Sequence, residues 1–253
     1  MVDFGPDLRV TYVMGGLARE YSGDLNWLVE EWLRASERSG MPIDPLLWTE
    51  GPIRSTYPAC MAVKAAAEQA ADGGYAYLRA LREGLCCFRR RLDATEPLVE
   101  AARGVGLDVE RFRIDLQSHA TVETFGADLE ETRAVPEEAR ARGGVREAHG
   151  SGERLVFPTV CFLSEGGERH WAFGDESYEP VREAARAAGA RLTDWEPPGV
   201  LDSLRRFERM ATIEVEAVCD LSGPRAPAEL WRLAAEWRVR PVRVLTGWLW
   251  ELA

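Results

Sequence analysis

From Leu8 to Leu17 the chain reads LRVTYVMGGL, with Val10, Tyr12 and Met14 alternating against Arg9, Thr11 and Val13 until Gly15-Gly16 interrupts them. That period predicts a strand. Asp24 then precedes Leu25, Leu28, Trp32 and Leu33 at helical spacing, and Gly40 with Pro42 beyond marks the end of a capped helix. Pro42, Gly51 and the prolines at 45, 52 and 58 keep residues 41–58 loop-like. From Ser55 to Arg142 the alternation disappears and helix starts and stops follow one another. One helix takes Pro58 into its first turn and runs through an alanine-rich stretch to Asp72-Gly73-Gly74. The next carries Tyr75, Leu78, Leu81, Leu85 and Phe88 on one stripe, with Arg79, Arg82 and Glu83 off it. Pro97 opens a third, closed at Gly104 or Gly106, and Asp108 caps a fourth with Phe112 and Leu116 inward. A last helix is predicted from Thr121 to Arg142, which makes this stretch an all-helical subdomain.

Alternation returns at Arg154 to Leu163, RLVFPTVCFL, which is predicted to pair with Arg169 to Phe173 across the turn Glu165-Gly166-Gly167-Glu168. Ser177 is placed as the cap of a helix from Tyr178 to Ala188, closed by Gly189. Beyond Pro197-Pro198-Gly199 two helical patterns, about Leu201 to Leu221 and Ala226 to Val239, lead to a short strand pattern near Leu249. Pro158 stands out in the middle of its apolar run. A proline donates no N–H to a ladder, so it belongs on an edge, at a bulge, or in a cis bond that turns its neighbour toward a ligand. The pattern by itself leaves all three open.

Composition narrows the function classes. The formal charge of −11 repels a polyanion over most of the surface, so nucleic acid is not expected as a partner. All the basic residues but Lys64 are arginine, which reads as a coding bias rather than an arginine-specific chemistry. A chain of 253 residues buries roughly 70–75% of its unfolded surface and needs no disulfide or metal for a core. No stretch approaches the roughly 18 apolar residues of a membrane span. Met1 to Val10 carries Asp3 and Asp7 where a signal peptide needs a basic end, so a cytoplasmic location is expected.

The five cysteines, Cys60, Cys86, Cys87, Cys161 and Cys219, are odd in number and include no Cys-x-x-Cys pair. His119, His149 and His170 lie far apart, so no metal site is assigned. Cys86-Cys87 sits inside a helical pattern and reads as core. The acidic pairs Glu30-Glu31, Glu130-Glu131 and Glu137-Glu138 point about 100° apart on their helices and read as solvated faces.

Val156-Phe157-Pro158-Thr159-Val160, followed by a Gly-Gly hairpin and a helix, resembles the cis-proline strand, hairpin and last helix of thioredoxin-like proteins. A helical block ahead of that strand is what the DsbA family adds to thioredoxin. TYVMGGLAREY (11–21), GPIRSTYPACMAVKAAAEQ (51–69) and YLRALREGLCCFRRRLD (77–93) also resemble cytoplasmic bacterial DsbA-family proteins. The resemblance spans about residues 8–190. It implies an α/β fold: a thioredoxin-like sheet, incomplete at its N-terminus, with an inserted all-helical subdomain and a helical C-terminal tail. The implied domains are 1–54 with 150–195, then 55–149 as the insertion, and 196–253 as the extension.

By the same resemblance Phe157, Pro158 and Thr159 are the substrate-binding residues. The backbone of Phe157 would pair with a substrate chain, Pro158 would pack beside the reactive sulfur, and Thr159 would open the central strand. The family places a strand and a Cys-x-x-Cys helix ahead of the strand matched at residue 8. Only seven residues precede Leu8, and a strand, turn and crossover helix take roughly 30. No catalytic residue is therefore assigned. The reading is a DsbA-family thiol-disulfide oxidoreductase-like protein without its dithiol, expected to be inactive as given, with a start placed too late or a truncated sequence as the explanation. Cys161, three residues past Pro158, falls on the opposite strand face and is read as core. Cys60, in the first turn of its helix, is exposed to the macrodipole but is read as structural.

Two further classes share the resemblance. Kappa-class glutathione transferases and chromene-carboxylate isomerases have the insertion and a cis-proline, and bind a low-molecular-weight thiol against the sheet; otherwise no cofactor is expected. A non-catalytic binding module is the third class. The expected partners are protein or small-molecule thiols and disulfides, with a homodimer left open. The tail resembles a winged helix, which raises DNA binding, yet residues 200–253 carry eight arginines against eight acidic residues and no basic helix face. Trp231, Trp237, Trp248 and Trp250 are instead expected to pack on the main domain or on a second subunit.

Overall fold

The computed structural model describes residues 4, 8–70, 74–148, 152–174, 177–191, 193 and 196–253. Met1, Asp3, Asp7, the helix stop at Asp72-Gly73 and His149 lie outside the described residues. Contrary to the alternation, residues 8–17 form no strand. They take no regular secondary structure, and the segment through Ala18 bonds to side chains: the Met14 N–H donates to the Asp128 carboxylate at 2.7 Å, the Tyr12 carbonyl accepts from Lys64 Nζ at 3.3 Å, and the Ala18 N–H donates to Thr56 Oγ1 at 3.0 Å. An alternating segment becomes a strand only where a neighbour offers a ladder, and no described strand pairs with this one.

Helix α1 (Leu25–Ser39) is capped as its sequence demands, with the Asp24 carboxylate accepting from the Asn26 N–H and Gly40 closing it at φ 68°. Its Trp32 meets Trp48 of the short α2 (Leu47–Glu50) edge to face. Next, α3 (Tyr57–Ala67) holds Pro58 in its first turn and buries Ala62, Val63, Ala65 and Ala66. Those small side chains let it serve as the hub for α4 (Tyr75–Phe88), α5 (Thr95–Gly104), α6 (Val109–Leu116) and α7 (His119–Arg133). Leu78, Leu81, Leu98 and Phe112 fill the space around it. The single helix predicted to Arg142 is two, because Pro136 has no N–H to continue α7 and instead caps α8 (Glu137–Ala141).

The run 154–163 also divides. Strand β1 (Val145–Ala148), which has no clear signal in the sequence, pairs with β2 (Gly152–Leu155). Past Phe157-Pro158 a separate hairpin joins β3 (Thr159–Leu163) to β4 (Arg169–Phe173), in register from Thr159 opposite Phe173 to Leu163 opposite Arg169. Helix α9 (Glu179–Ala187) packs on that hairpin; Tyr178, not Ser177, takes the N-cap position, without a side-chain bond. The architecture is α/β of the thioredoxin-like type with an inserted helical block.

The tail keeps its helices and adds a sheet. It runs α10 (Val200–Phe207), β5 (Arg209–Ala211), α11 (Thr212–Val218), α12 (Arg225–Ala235), β6 (Val239–Val244) and β7 (Gly247–Leu252), with antiparallel strand order β5-β7-β6, the arrangement of a winged helix. The first predicted helix breaks at Glu208, φ 63°, so that Arg209–Ala211 can pair with β7. One sheet face sets Met210, Val239 and Trp250 on the α10–α12 core; the other sets Ala211, Val244 and Leu249 on Cys87 and Phe88 of α4. Ion pairs border the second face, Arg79–Glu214 at 2.8 Å, Arg209–Glu83 at 2.9 Å and Arg209–Glu251 at 2.7 Å. The tryptophans thus depart from expectation. Trp231 and Trp248 gather on the fully buried Trp250 inside the tail itself, and Trp237 is 87% exposed.

Candidate functional site

The Phe157–Pro158 peptide is cis, and it sits where β2 ends and β3 begins. The Pro158 carbonyl accepts from the Gly174 N–H at 2.9 Å, and Thr159 Oγ1 donates to the Val156 carbonyl at 2.6 Å, which fixes the bend from both sides. Pro158 itself is exposed; Phe157 and Thr159 are half-buried. The Arg154 guanidinium lies 4.4 Å from the centre of the Phe157 ring and donates to the Leu155 carbonyl. Burial, with Arg146 adding repulsion, pulls the affinity of Arg154 for its proton down.

Facing this bend is the Gly15-Gly16 turn. A Cβ on Gly15 would fall 2.0 Å from the Phe157 ring, and one on Gly16 would fall 2.8 to 3.0 Å from Leu129, Tyr57 and Phe125. Only glycine permits both approaches, and Gly16 also has φ +56°. The sequence reading took these glycines as a stop; in the structure they bring residues 14–16 against the aromatic bend. Tyr57 and Phe125 meet edge to face at 5.0 Å beneath Gly16. Lys64 and Asp128, 2.9 Å apart with side chains 13% and 10% exposed, hold the same segment from below. Their contact joins positions 64 residues apart, so no local motif announces it.

None of the thiols is prepared for chemistry. Burial pushes Cys60 up to about 11; an N–H from Gly16 opposes this and the Asp128 charge adds to it. Burial likewise takes Cys86 to about 11 and Cys87 to about 12, and raises Cys161 and Cys219. A nucleophilic cysteine needs the opposite shift. Among the described residues no cluster of His, Cys, Asp or Glu is built to hold a metal, and no helix is long and apolar enough to cross a membrane. The bend brings together the Phe157 ring, the close backbone of Gly15 and one cation, Arg154.

A family model described as thioredoxin matches residues 18–135. Among curated proteins, the ClpXP adapter protein SpxH of Halalkalibacterium halodurans is 26% identical over 262 residues, covering 99% of this chain and 80% of that protein. The ClpXP adapter protein SpxH of Bacillus subtilis is 27% identical, covering 88% and 71%. Among solved structures, a Nitrosomonas europaea protein matches 68% of this chain and 78% of its own with a TM-score of 0.53 at 17% identity. The cytosolic disulfide reductase DsbM of Pseudomonas aeruginosa matches 70% and 82% with a TM-score of 0.50 at 18% identity.

Proposed function

Because the chain has a thioredoxin-like fold, we propose that it works by recognising other polypeptides, as an adapter that hands a client to a Clp-type protease, and not by exchanging disulfides. One observation carries this reading: the cis Phe157–Pro158 bend is fixed by hydrogen bonds on both sides with Pro158 exposed, while burial moves every cysteine of the chain away from the thiolate. The adapter names of the SpxH relatives support it. In this reading Phe157 and the half-buried Thr159 contact an extended client segment, and Arg154 holds the Phe157 ring in place. Residues 1–54 and 150–195 form the recognition domain, 55–149 its helical insertion and 196–253 an extension, and the protein works in the cytoplasm.

The test has two arms. Proteins whose half-life lengthens when the gene is deleted are purified and incubated with ClpX and ClpP, with and without this chain; at least one is expected to be degraded several-fold faster with it. The chain is also assayed for insulin disulfide reduction against a cysteine-free variant, and no difference is expected. Client half-lives indifferent to the chain, or reduction well above the variant, would overturn the reading.

A further inference from the structure

The β1–β2 ribbon sets two arginines against each other beside the cis bend. Arg146 is the direct cross-strand partner of Arg154, so both side chains leave the same face of the ribbon. Side chains paired in this way stand about 4.5–5.5 Å apart at Cβ, where like charges repel. The acids of the same strands are turned away. Glu147 lies opposite Glu153 on the other face, and that like-charged pair is answered by Arg140, 3.2 Å from Glu153. Among the described residues nothing answers the arginines. Arg146 donates to the Val145 carbonyl at 2.9 Å and Arg154 to the Leu155 carbonyl at 2.7 Å, and neither guanidinium meets a carboxylate.

The pair is joined to the bend through Arg154, whose guanidinium lies over the ring of Phe157, the residue that precedes Pro158. Arg154 is half-buried there, and Arg146 is exposed beside it. Burial and the Arg146 charge both work against the charged form of Arg154, and no acid offsets them. Elsewhere in this acidic chain half-buried arginines are matched, Arg79 by Glu214 and Arg209 by Glu83 and Glu251. A negative group brought between Arg146 and Arg154 relieves the repulsion and replaces the lost solvation. The net charge of −11 makes this an isolated spot where an acidic side chain is attracted and not repelled.

We propose that Arg146 and Arg154 select a client by a carboxylate side chain that it presents next to the residues lying on the cis Phe157–Pro158 bend. The carboxylate accepts from both guanidiniums, and the Phe157 ring fixes the orientation of one of them. The inference deepens the adapter reading and rests on it for the occupant being a client protein.

Anisotropy of two fluorescein-labelled, end-blocked peptides, Gly-Thr-Glu-Val-Glu-Thr-Gly and Gly-Thr-Gln-Val-Gln-Thr-Gly, is measured with the full chain and with Arg146→Glu. The parent is expected to bind the Glu peptide about tenfold more tightly than the Gln peptide, and Arg146→Glu is expected to lose that preference. Arg146→Glu is also expected to melt no lower than the parent, because it sets an opposite charge across from Arg154, so lost binding is not lost fold. The double variant Arg146→Glu, Arg154→Glu is expected to prefer a peptide with Lys in place of Glu. Equal affinity of the parent for the Glu and Gln peptides, or a preference that Arg146→Glu retains, overturns the carboxylate site. If ClpX and ClpP degrade a client equally fast with the parent and with Arg146→Glu, the adapter reading stands and this site falls. If the Glu peptide depends on Arg146 but no client responds to the chain, the adapter reading falls and the carboxylate recognition stands.

Discussion

Strands β3 and β7 have comparably apolar sequences, TVCFL and GWLWEL, but the fold uses them differently. Among the described residues β3 pairs with β4 alone, and it leaves Leu163 65% exposed, with Val160 exposed as well. β7 lies between β5 and β6 with Leu249 and Trp250 buried on opposite faces, one against α4 and the other against the α10–α12 core. Apolar sequence makes both strands; what covers them differs. The hairpin is left open at Val160 and Leu163, and the neighbouring segment 12–14 is held by Lys64 of α3 and Asp128 of α7 and not by a ladder. The tail sheet is built closed, and it ties the C-terminal residues to α4.

The contrast is tested most severely at Lys64. Lys64→Met strands the Asp128 carboxylate in a nearly dry site and should cost about 3–5 kcal/mol, read as a lowered urea midpoint with faster amide exchange at Met14. A loss below about 1 kcal/mol would mean that residues 12–16 are held by packing alone. Leu249→Ala, in the closed sheet, should cost about 3 kcal/mol, while Leu163→Ala, on the open hairpin, should stay within about 0.5 kcal/mol. Equal effects would erase the difference between the two sheets.

The smallest effect is in acid. Burial pushes the Glu251 carboxyl up, but Arg209 and Arg240 together outweigh it and hold it below the usual carboxylate range. Its contribution is therefore complete above the unfolded value, about 4.3, and is lost as the pH falls through the lower folded one. Glu83 has the opposite sign, because burial there prevails over Arg79 and Arg209 and raises it, so it gains stability as the pH falls. Glu251→Gln should flatten the loss of stability in acid unfolding between about pH 5 and 3. A steeper loss would place the pH sensitivity elsewhere in the network.

The parts of the fold that were legible in the sequence are those governed by local chemistry. Asp24, Gly40, Pro58 and Asp108 mark helix ends because caps and prolines act within a turn. Alternation at 8–17 was legible but the lack of a ladder was not, since the missing partner leaves no trace in the segment itself. Glu208 and Trp237 adopt left-handed backbone without being glycine, so nothing in their side chains announces the break after α10 or the exposed corner after α12. At the candidate site, Phe157, Pro158 and Thr159 could be singled out because a proline in an apolar run is locally odd. Gly15 against Phe157, and Lys64 with Asp128, depend on contacts between distant parts of the chain and emerge only once the helical block is folded.

Recognition without thiol chemistry is the central claim, and one substitution series tests it directly. All five cysteines are replaced by alanine or serine, and the rate of client degradation by ClpX and ClpP is measured with the parent and the cysteine-free chain side by side. The account predicts equal stimulation by the two at matched folded concentration. Stimulation that disappears with the cysteines, and returns when one of them is restored, would contradict it.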